Sequence, residues 1–158
     1  MATLAGCKGG DGKARAAKQP AAVEAKAAPA DTSAVRHLTT AEFVDMVYDF
    51  RANPDEWVYK GDKPAIVDFY ATWCPPCKQL SPLLEKLAAE HSGAINIYKV
   101  DIDEEPELAA AFGISSIPML LWIPAEGKPF VTMGLMPKPE LDKTVAERLL
   151  KVSRNGDS

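Results

Sequence analysis

The sequence predicts an α/β fold in which a mixed central β-sheet carries helices on both of its faces. Two observations support this class. Short apolar runs typical of buried strands alternate with segments whose apolar residues recur at helical spacing. From residue 65 onwards these segments follow the order βαβαββα. Strands joined by a helix run parallel, whereas the two consecutive strands form an antiparallel hairpin, so the sheet should be mixed.

The expected domain begins near Val35 and opens with a helix. Thr39 and Glu42 stand at the spacing of a capping box, in which two side chains satisfy the free backbone N–H groups of a helix start. Apolar residues then recur at helical spacing as far as Asn53-Pro54, where the proline should stop the helix. A connection without regular structure follows over residues 55–63.

The next two elements are a buried strand and a helix that starts at a cysteine. Residues 65–71 form an apolar run around a single acid, Asp68. The helix begins at Cys74 and continues through Leu87, with leucines at helical spacing. Pro82 lies inside this helix and is expected to kink it.

The second half of the domain follows from turn and capping residues. The expected elements are a strand over 95–101, a short helix over 106–112, strands over 119–123 and 130–133, and an amphipathic helix from Pro139 to Val152. Gly113 stands where a glycine commonly ends a helix. The two consecutive strands are separated by a short turn containing Gly127, so they should pair as a hairpin.

The N-terminal segment differs in composition from the rest of the chain. Residues 8–36 are rich in Ala, Lys, Gly and Pro and contain no aromatic residue. Such a segment cannot form a core, so we expect residues 1–34 to be a disordered tether and residues 35–153 to be the folded domain. Residues 1–36 carry a net charge of +3 and residues 37–158 one of −7. The acidic domain argues against a nucleic-acid partner.

The motif that carries chemistry is Cys74-Pro75-Pro76-Cys77, which joins a strand to a helix. Two residues between the cysteines, on a first helical turn, bring the sulfurs within bonding distance. The first sulfur also faces unpaired backbone N–H groups and the positive end of the helix dipole. Both effects favour the nucleophilic thiolate, so the motif predicts a thiol–disulfide redox centre.

A zinc site is the alternative explanation of the cysteine pair. Structural zinc usually takes four ligands, whereas the chain offers one further cysteine in the tail, Cys7, and two histidines that lie far apart in sequence, His37 and His91. We therefore expect no metal and no cofactor beyond a redox-active disulfide between Cys74 and Cys77.

Three parts of the sequence resemble the thioredoxin family. Residues 67–78 are similar to the active-site segment of the family, and residues 113–120 are similar to the segment that contains its cis-proline. Gly134 resembles the family glycine near the substrate groove. The chain departs from the family at Pro75, where thioredoxins usually have glycine, in a longer connection at 51–64 and in its N-terminal tail. The resemblance implies a thioredoxin fold.

The resemblance also implies roles for individual residues. Cys74 would attack the substrate disulfide, and Cys77 would resolve the mixed disulfide. Asp68 would accept a proton from Cys77, because burial among apolar neighbours raises the pKa of its carboxyl. Lys99 resembles the family lysine that lies near this acid, although an ordinary surface lysine is an equally simple interpretation.

A substrate-binding surface is implied around the disulfide. Trp73 would shield the disulfide and contribute to the docking surface. Pro118 would be cis and would expose the backbone around Ile117 for pairing with a substrate strand. The expected substrate-binding residues are Trp73, Pro75, Pro76, Ile117, Pro118 and Gly134.

These features predict a thiol–disulfide oxidoreductase that reduces protein disulfides by dithiol–disulfide exchange. Ile117 and Asp68 are features of the reducing branch of the family. Two alternatives stay open: a disulfide oxidase or isomerase, and a non-catalytic binding module of the same fold. The expected partners are disulfide-containing proteins and an upstream electron donor, either thioredoxin reductase or a transmembrane thiol donor. We expect a monomer.

The tail contains a second motif, Leu4-Ala5-Gly6-Cys7, that resembles the lipobox of bacterial lipoproteins. In a lipobox the cysteine carries the lipid, so the motif predicts a periplasmic protein anchored to the membrane through Cys7. Only three residues precede Leu4, which is too few for the charged and apolar regions of a signal peptide. The alternative is a cytoplasmic protein in which the motif arises by chance.

Overall fold

The structure is a computed structural model, and it describes residues 35–151. The predictions for the tether at residues 1–34, for the lipobox-like Leu4–Cys7 and for Val152 lie outside the described residues. No helix within residues 35–151 is long and apolar enough to cross a membrane.

The described residues form five strands and four helices. The strands are β1 (Val35–His37), β2 (Ala65–Tyr70), β3 (Asn96–Asp101), β4 (Met119–Ile123) and β5 (Phe130–Met133). The helices are α1 (Thr40–Met46), α2 (Pro75–Glu90), α3 (Pro106–Ala111) and α4 (Lys138–Thr144), the last of which continues into a π-helix (Val145–Leu149).

The five strands form one mixed sheet in the order β1-β3-β2-β4-β5. β1 and β2 pair with β3 in parallel, whereas β4 runs antiparallel to β2, and β5 antiparallel to β4. The mixed sheet and the β4–β5 hairpin are therefore confirmed. The register places Asp68 of β2 opposite Lys99 of β3 and Leu120 of β4.

Local sequence patterns do not predict β1. Its three residues include one buried apolar side chain, Val35, which is too little for a strand pattern. Pairing with β3, in which Val35 lies opposite Ile97, holds the segment extended. The cause of this strand is therefore a partner far along the chain.

The first helix begins as predicted but ends earlier. Thr39 and Glu42 make both bonds of the capping box. The expected end was Asn53-Pro54, whereas α1 ends at Met46. The carbonyl of Val47 accepts the backbone N–H of Lys60 at 2.9 Å. This bond from the following connection uses the carbonyl that a continuing helix would need.

The last helix also differs from the prediction. Pro139 lies in the first turn of α4, as expected. The helix then widens, because the Leu150 N–H bonds the carbonyl of Val145, five residues earlier, at 2.8 Å. Leu141, Val145 and Leu149, which follow one another at intervals of four residues, are all buried. Pro82 lies inside α2, and the kink expected there stays a prediction.

One face of the sheet is covered by α2 and α4, and we call it the α2/α4 face. Leu84 of α2 and Leu141 of α4 belong there to one buried cluster with Ile66 and Trp122 of the sheet. Side chains alternate along a strand, so Asp68 points to the same face as Ile66.

The opposite face is covered by α1 and α3, and we call it the α1/α3 face. Phe43 of α1 meets Phe112 edge to face, with ring centroids 5.4 Å apart, and Phe69 of β2 lies 5.6 Å from Phe112. The connection after α1 adds Tyr48 and Trp57, whose ring centroids are 4.4 Å apart. Aromatic packing therefore dominates this face.

Candidate active site

The two cysteines lie where β2 leads into α2. Cys74 is the N-cap of α2 and is disulfide-bonded to Cys77 in the first turn, with 5.3 Å between the Cα atoms. The backbone N–H of Cys77 donates to Sγ of Cys74 at 3.3 Å. Pro75 and Pro76 have no N–H, and that of Lys78 bonds the Cys74 carbonyl. Cys77 therefore provides the backbone donor that reaches this sulfur from the first turn.

Solvent exposure does not distinguish the two cysteines, since Cys74 is 2% exposed and Cys77 is 1% exposed. Their electrostatic surroundings do differ. Sγ of Cys74 accepts a backbone N–H at the positive end of the α2 dipole, an arrangement that stabilises a thiolate. Cys77 lies within the first turn of the helix. The geometry therefore favours Cys74 as the thiolate of the reduced protein.

Asp68 is completely buried, and within residues 35–151 neither oxygen of its carboxyl has a hydrogen-bond partner. Burial raises the pKa of this carboxyl to about 7, and the positive charge of Lys99 opposes part of that rise. The predicted burial of Asp68 is confirmed. A carboxyl with a pKa near neutrality can accept and release a proton at physiological pH.

Lys99 is half-buried at the position opposite Asp68. Its Nζ donates to the hydroxyl of Ser81 in α2 and lies 4.3 Å from the centroid of the Tyr70 ring. Within residues 35–151 no ion pair joins Lys99 to Asp68. The ammonium therefore acts on the carboxyl through its field and not through direct contact.

Trp73 precedes the disulfide and is 65% exposed. Its indole Nε1 donates to Oδ2 of Asp103 at 2.8 Å, which fixes the orientation of the ring. A large apolar side chain is thus held on the surface beside Cys74.

The predicted cis-proline segment packs beside the disulfide. The Ile117–Pro118 peptide bond is cis, as expected, and Ile117 packs against the buried cluster that contains both cysteines. Gly134 donates its N–H to the Pro118 carbonyl at 2.8 Å and has a φ of +90°, which favours glycine. The exposed side chain of Met133, 63% accessible, adds apolar surface next to Gly134.

Ser81, Tyr70 and Asp103 had no predicted role at this site. A signal exists for two of them. Ser81 follows Cys77 by four residues and therefore shares its side of the helix. Tyr70 follows Asp68 by two residues and therefore shares its face of the strand. Asp103 has no local signal, because its bond to Trp73 depends on the fold.

One group of side chains outside this site has the spacing of metal ligands. Glu90, His91 and Asp142 bring one ligand atom each within 4.8 Å of one another. Lys138 already pairs with both carboxylates, at 2.5 Å each. The two carboxylates of this cluster therefore already have a positively charged partner, the side chain of Lys138.

The fold and the cysteine pair together define a thiol–disulfide oxidoreductase. The family profile described as Thioredoxin matches residues 45–147. The chain therefore belongs to the thioredoxin family, and its activity is that of a protein-disulfide reductase.

Related proteins support this assignment over most of their length. The chain is 44% identical to thioredoxin of Borreliella burgdorferi over 110 residues, which cover 70% of this chain and 93% of that protein. It is 41% identical to thioredoxin of Alicyclobacillus acidocaldarius over 91 residues, 57% of this chain and 86% of the relative. The crystal structure of chloroplastic thioredoxin z superposes with a TM-score of 0.61 at 29% identity, covering 72% of this chain and 92% of that one.

Proposed function

We propose that Cys74 is the attacking thiol of this reductase and Cys77 the resolving thiol. The observation that carries this assignment is the Cys77 N–H directed at Sγ of Cys74 at the start of α2. The Cys74 thiolate attacks one sulfur of the substrate disulfide, forms a mixed disulfide and releases the other sulfur as a thiolate. Cys77 then loses its proton and attacks Sγ of Cys74, which releases the second substrate thiolate. Two electrons pass to the substrate.

Asp68 is the proton acceptor in this proposal. The carboxyl is buried on the α2/α4 face. Its pKa of about 7 is close to the pH at which a base in the cell must accept a proton. When Asp68 is deprotonated, the positive charge of Lys99 stabilises its carboxylate, which can then accept the proton of Cys77. Both residues act at the resolving step, when Cys77 must become a thiolate.

The substrate surface of the proposal surrounds the disulfide. Exposed Trp73 precedes Cys74 in the chain. Ile117 packs against the cluster that contains both cysteines, and the Gly134 N–H bonds the carbonyl of neighbouring Pro118. Pro75 and Pro76 complete this surface as the two residues between the cysteines. A substrate strand that pairs with the backbone around Ile117 would place its disulfide at Cys74.

Trapping the mixed disulfide distinguishes the roles of the two cysteines. Cys77→Ser should accumulate a mixed disulfide with a protein substrate such as insulin, because the resolving thiol is missing. Cys74→Ser is the matched control and should accumulate none. Faster alkylation of Cys77 than of Cys74 in the reduced protein at neutral pH would contradict the assignment.

The direction of electron flow is tested with two substrates. The reduced protein should reduce insulin rapidly, whereas the oxidised protein should be a poor catalyst of disulfide formation in a reduced, unfolded protein. The opposite pattern would favour the oxidase or isomerase. Turnover with thioredoxin reductase, or with a transmembrane thiol donor, identifies the electron donor.

We also propose that Cys7 is a lipid attachment site and that the enzyme is anchored in the periplasm. The support is the lipobox-like Leu4-Ala5-Gly6-Cys7 at the head of a basic segment. Two or more acyl chains give stable membrane anchoring. Cys7→Ser should move the protein out of the membrane fraction of its native host without changing insulin reduction in detergent. An unmodified Cys7 thiol in the mass spectrum of the native protein would favour a cytoplasmic enzyme.

A further inference from the structure

The ammonium of Lys99 is held by two groups that the proposed reaction does not use. The hydroxyl of Ser81 accepts a hydrogen bond from Nζ, and the face of the Tyr70 ring lies 4.3 Å from the same atom. Ser81 belongs to the redox helix α2, whereas Tyr70 ends the strand that carries Asp68. Helix and strand thus fix one cation between them.

Among residues 35–151, Lys99 is the charged side chain that acts on the Asp68 carboxyl. Lys99 lies opposite it on β3, and uncharged Leu120 lies opposite it on β4. The Tyr70 hydroxyl, which shares its strand, contacts His37 Nδ1 of β1 at 3.2 Å. The charged side chains of α2 are all exposed, namely Lys78, Glu85, Lys86 and Glu90. Lys99 is therefore the cation that governs this carboxyl.

We propose that Ser81 is a positioning residue that holds the Lys99 ammonium against Tyr70, near Asp68 but out of direct contact with it. The inference rests on the proposed role of Asp68 as proton acceptor. A direct ion pair would make the carboxylate a weak base, because a cation in contact strongly favours the charged form. A lysine turned to solvent would leave the buried carboxyl protonated. With the ammonium held at Ser81, the carboxyl is neither a weak base nor permanently protonated.

A single substitution at Ser81 should shift the pKa of Asp68 in one direction. Ser81→Ala removes the acceptor, and an ammonium is a strongly hydrated charge, so Lys99 should turn towards water. Asp68 then loses part of the attraction that stabilises its charged form. Its pKa should rise by about half a pH unit. Ser81→Thr keeps a hydroxyl and should keep the original pKa.

The experiment is an NMR titration of the Asp68 carboxyl in the oxidised full-length protein. The variants are Ser81→Ala, Ser81→Thr, Lys99→Gln, the double variant Ser81→Ala/Lys99→Gln, and Ser92→Ala as a control in the exposed turn after α2. Ser81→Ala should raise the pKa and Lys99→Gln should raise it further. The double variant should match Lys99→Gln alone, because Ser81 acts through Lys99. Ser92→Ala should match the wild type.

An unchanged or lowered pKa in Ser81→Ala would overturn the proposal. So would an additional rise in the double variant, since Ser81 would then act on Asp68 without Lys99. The titration needs no substrate and no turnover. If Asp68→Asn leaves the rate of mixed-disulfide resolution unchanged, the proton-acceptor role fails while the positioning of Lys99 still stands. The two failures are therefore distinguishable.

Discussion

In the described part of the chain, each face of the sheet buries a polar group without a hydrogen-bond partner, but the two groups differ in kind. On the α1/α3 face the group is the indole N–H of Trp57, and on the α2/α4 face it is the carboxyl of Asp68. The indole stays neutral at every physiological pH, so its cost is constant. The carboxyl ionises, so its cost depends on pH. The unpartnered group on the α1/α3 face therefore has a cost that is independent of pH, whereas the one on the α2/α4 face makes stability depend on pH.

The largest expected effect lies on the α2/α4 side and concerns activity. Cys74→Ser should lower insulin reduction at least about a thousandfold, because the attacking thiol is lost. The fold should persist, since the substitution changes one atom. Denaturant unfolding should show a native state comparable to that of the wild type with its disulfide reduced. Residual turnover near the wild-type rate would assign the attack to another residue.

The largest expected effect on stability lies on the α1/α3 face. Phe43→Ala empties a fully buried site that contacts Phe112, and such truncations cost about 3 to 5 kcal/mol of unfolding free energy. Val58→Ala, at an exposed position, is the control and should cost little. Where the Phe43 variant remains folded, Cys74 should be alkylated at the wild-type rate. A changed alkylation rate would show that the two faces are not independent.

Asp68→Asn should change the pH dependence of stability. The folded protein keeps the Asp68 proton up to about pH 7, whereas the unfolded chain releases it near the ordinary value of 3.8. The stabilisation is thus fully present below pH 3.8 and is lost as the pH rises to about 7. The loss is of the order of 4 kcal/mol. Unfolding free energies measured across this range should fall less for the variant. Parallel curves for the two proteins would contradict the assignment.

The smallest effect concerns the unpartnered indole. Trp57→Phe removes the buried N–H but also some packing, and the two terms oppose each other, so the net change should be below about 1 kcal/mol. Trp122→Phe is the matched control on the other face, where the indole donates to Thr132 at 2.8 Å. It should cost more, because both packing and a satisfied bond are lost. Neither change should vary with pH. Equal costs would indicate that the Trp57 N–H has a partner in solution.

Local signals account for most of the fold and for the redox centre. The bounds of β4 and β5 match the sequence prediction, and the capping box places the start of α1. The cysteine pair was predicted at the start of α2, because a strand before Cys-X-X-Cys is itself a local pattern. Asp68 was recognisable as the one acid in an apolar strand. In each instance a few adjacent residues contain the physical cause.

The remaining features depend on residues that are distant along the chain. β1 exists because β3 pairs with it, and just past α1 the carbonyl of Val47 bonds Lys60 of the following connection. The bond from Lys99 to Ser81 likewise joins β3 to α2. The sequence by itself determined which groups can do chemistry, since the type and spacing of residues set their reactivity. Only the tertiary structure decided how those groups tune one another, because burial and hydrogen-bond partners arise when separate elements pack together.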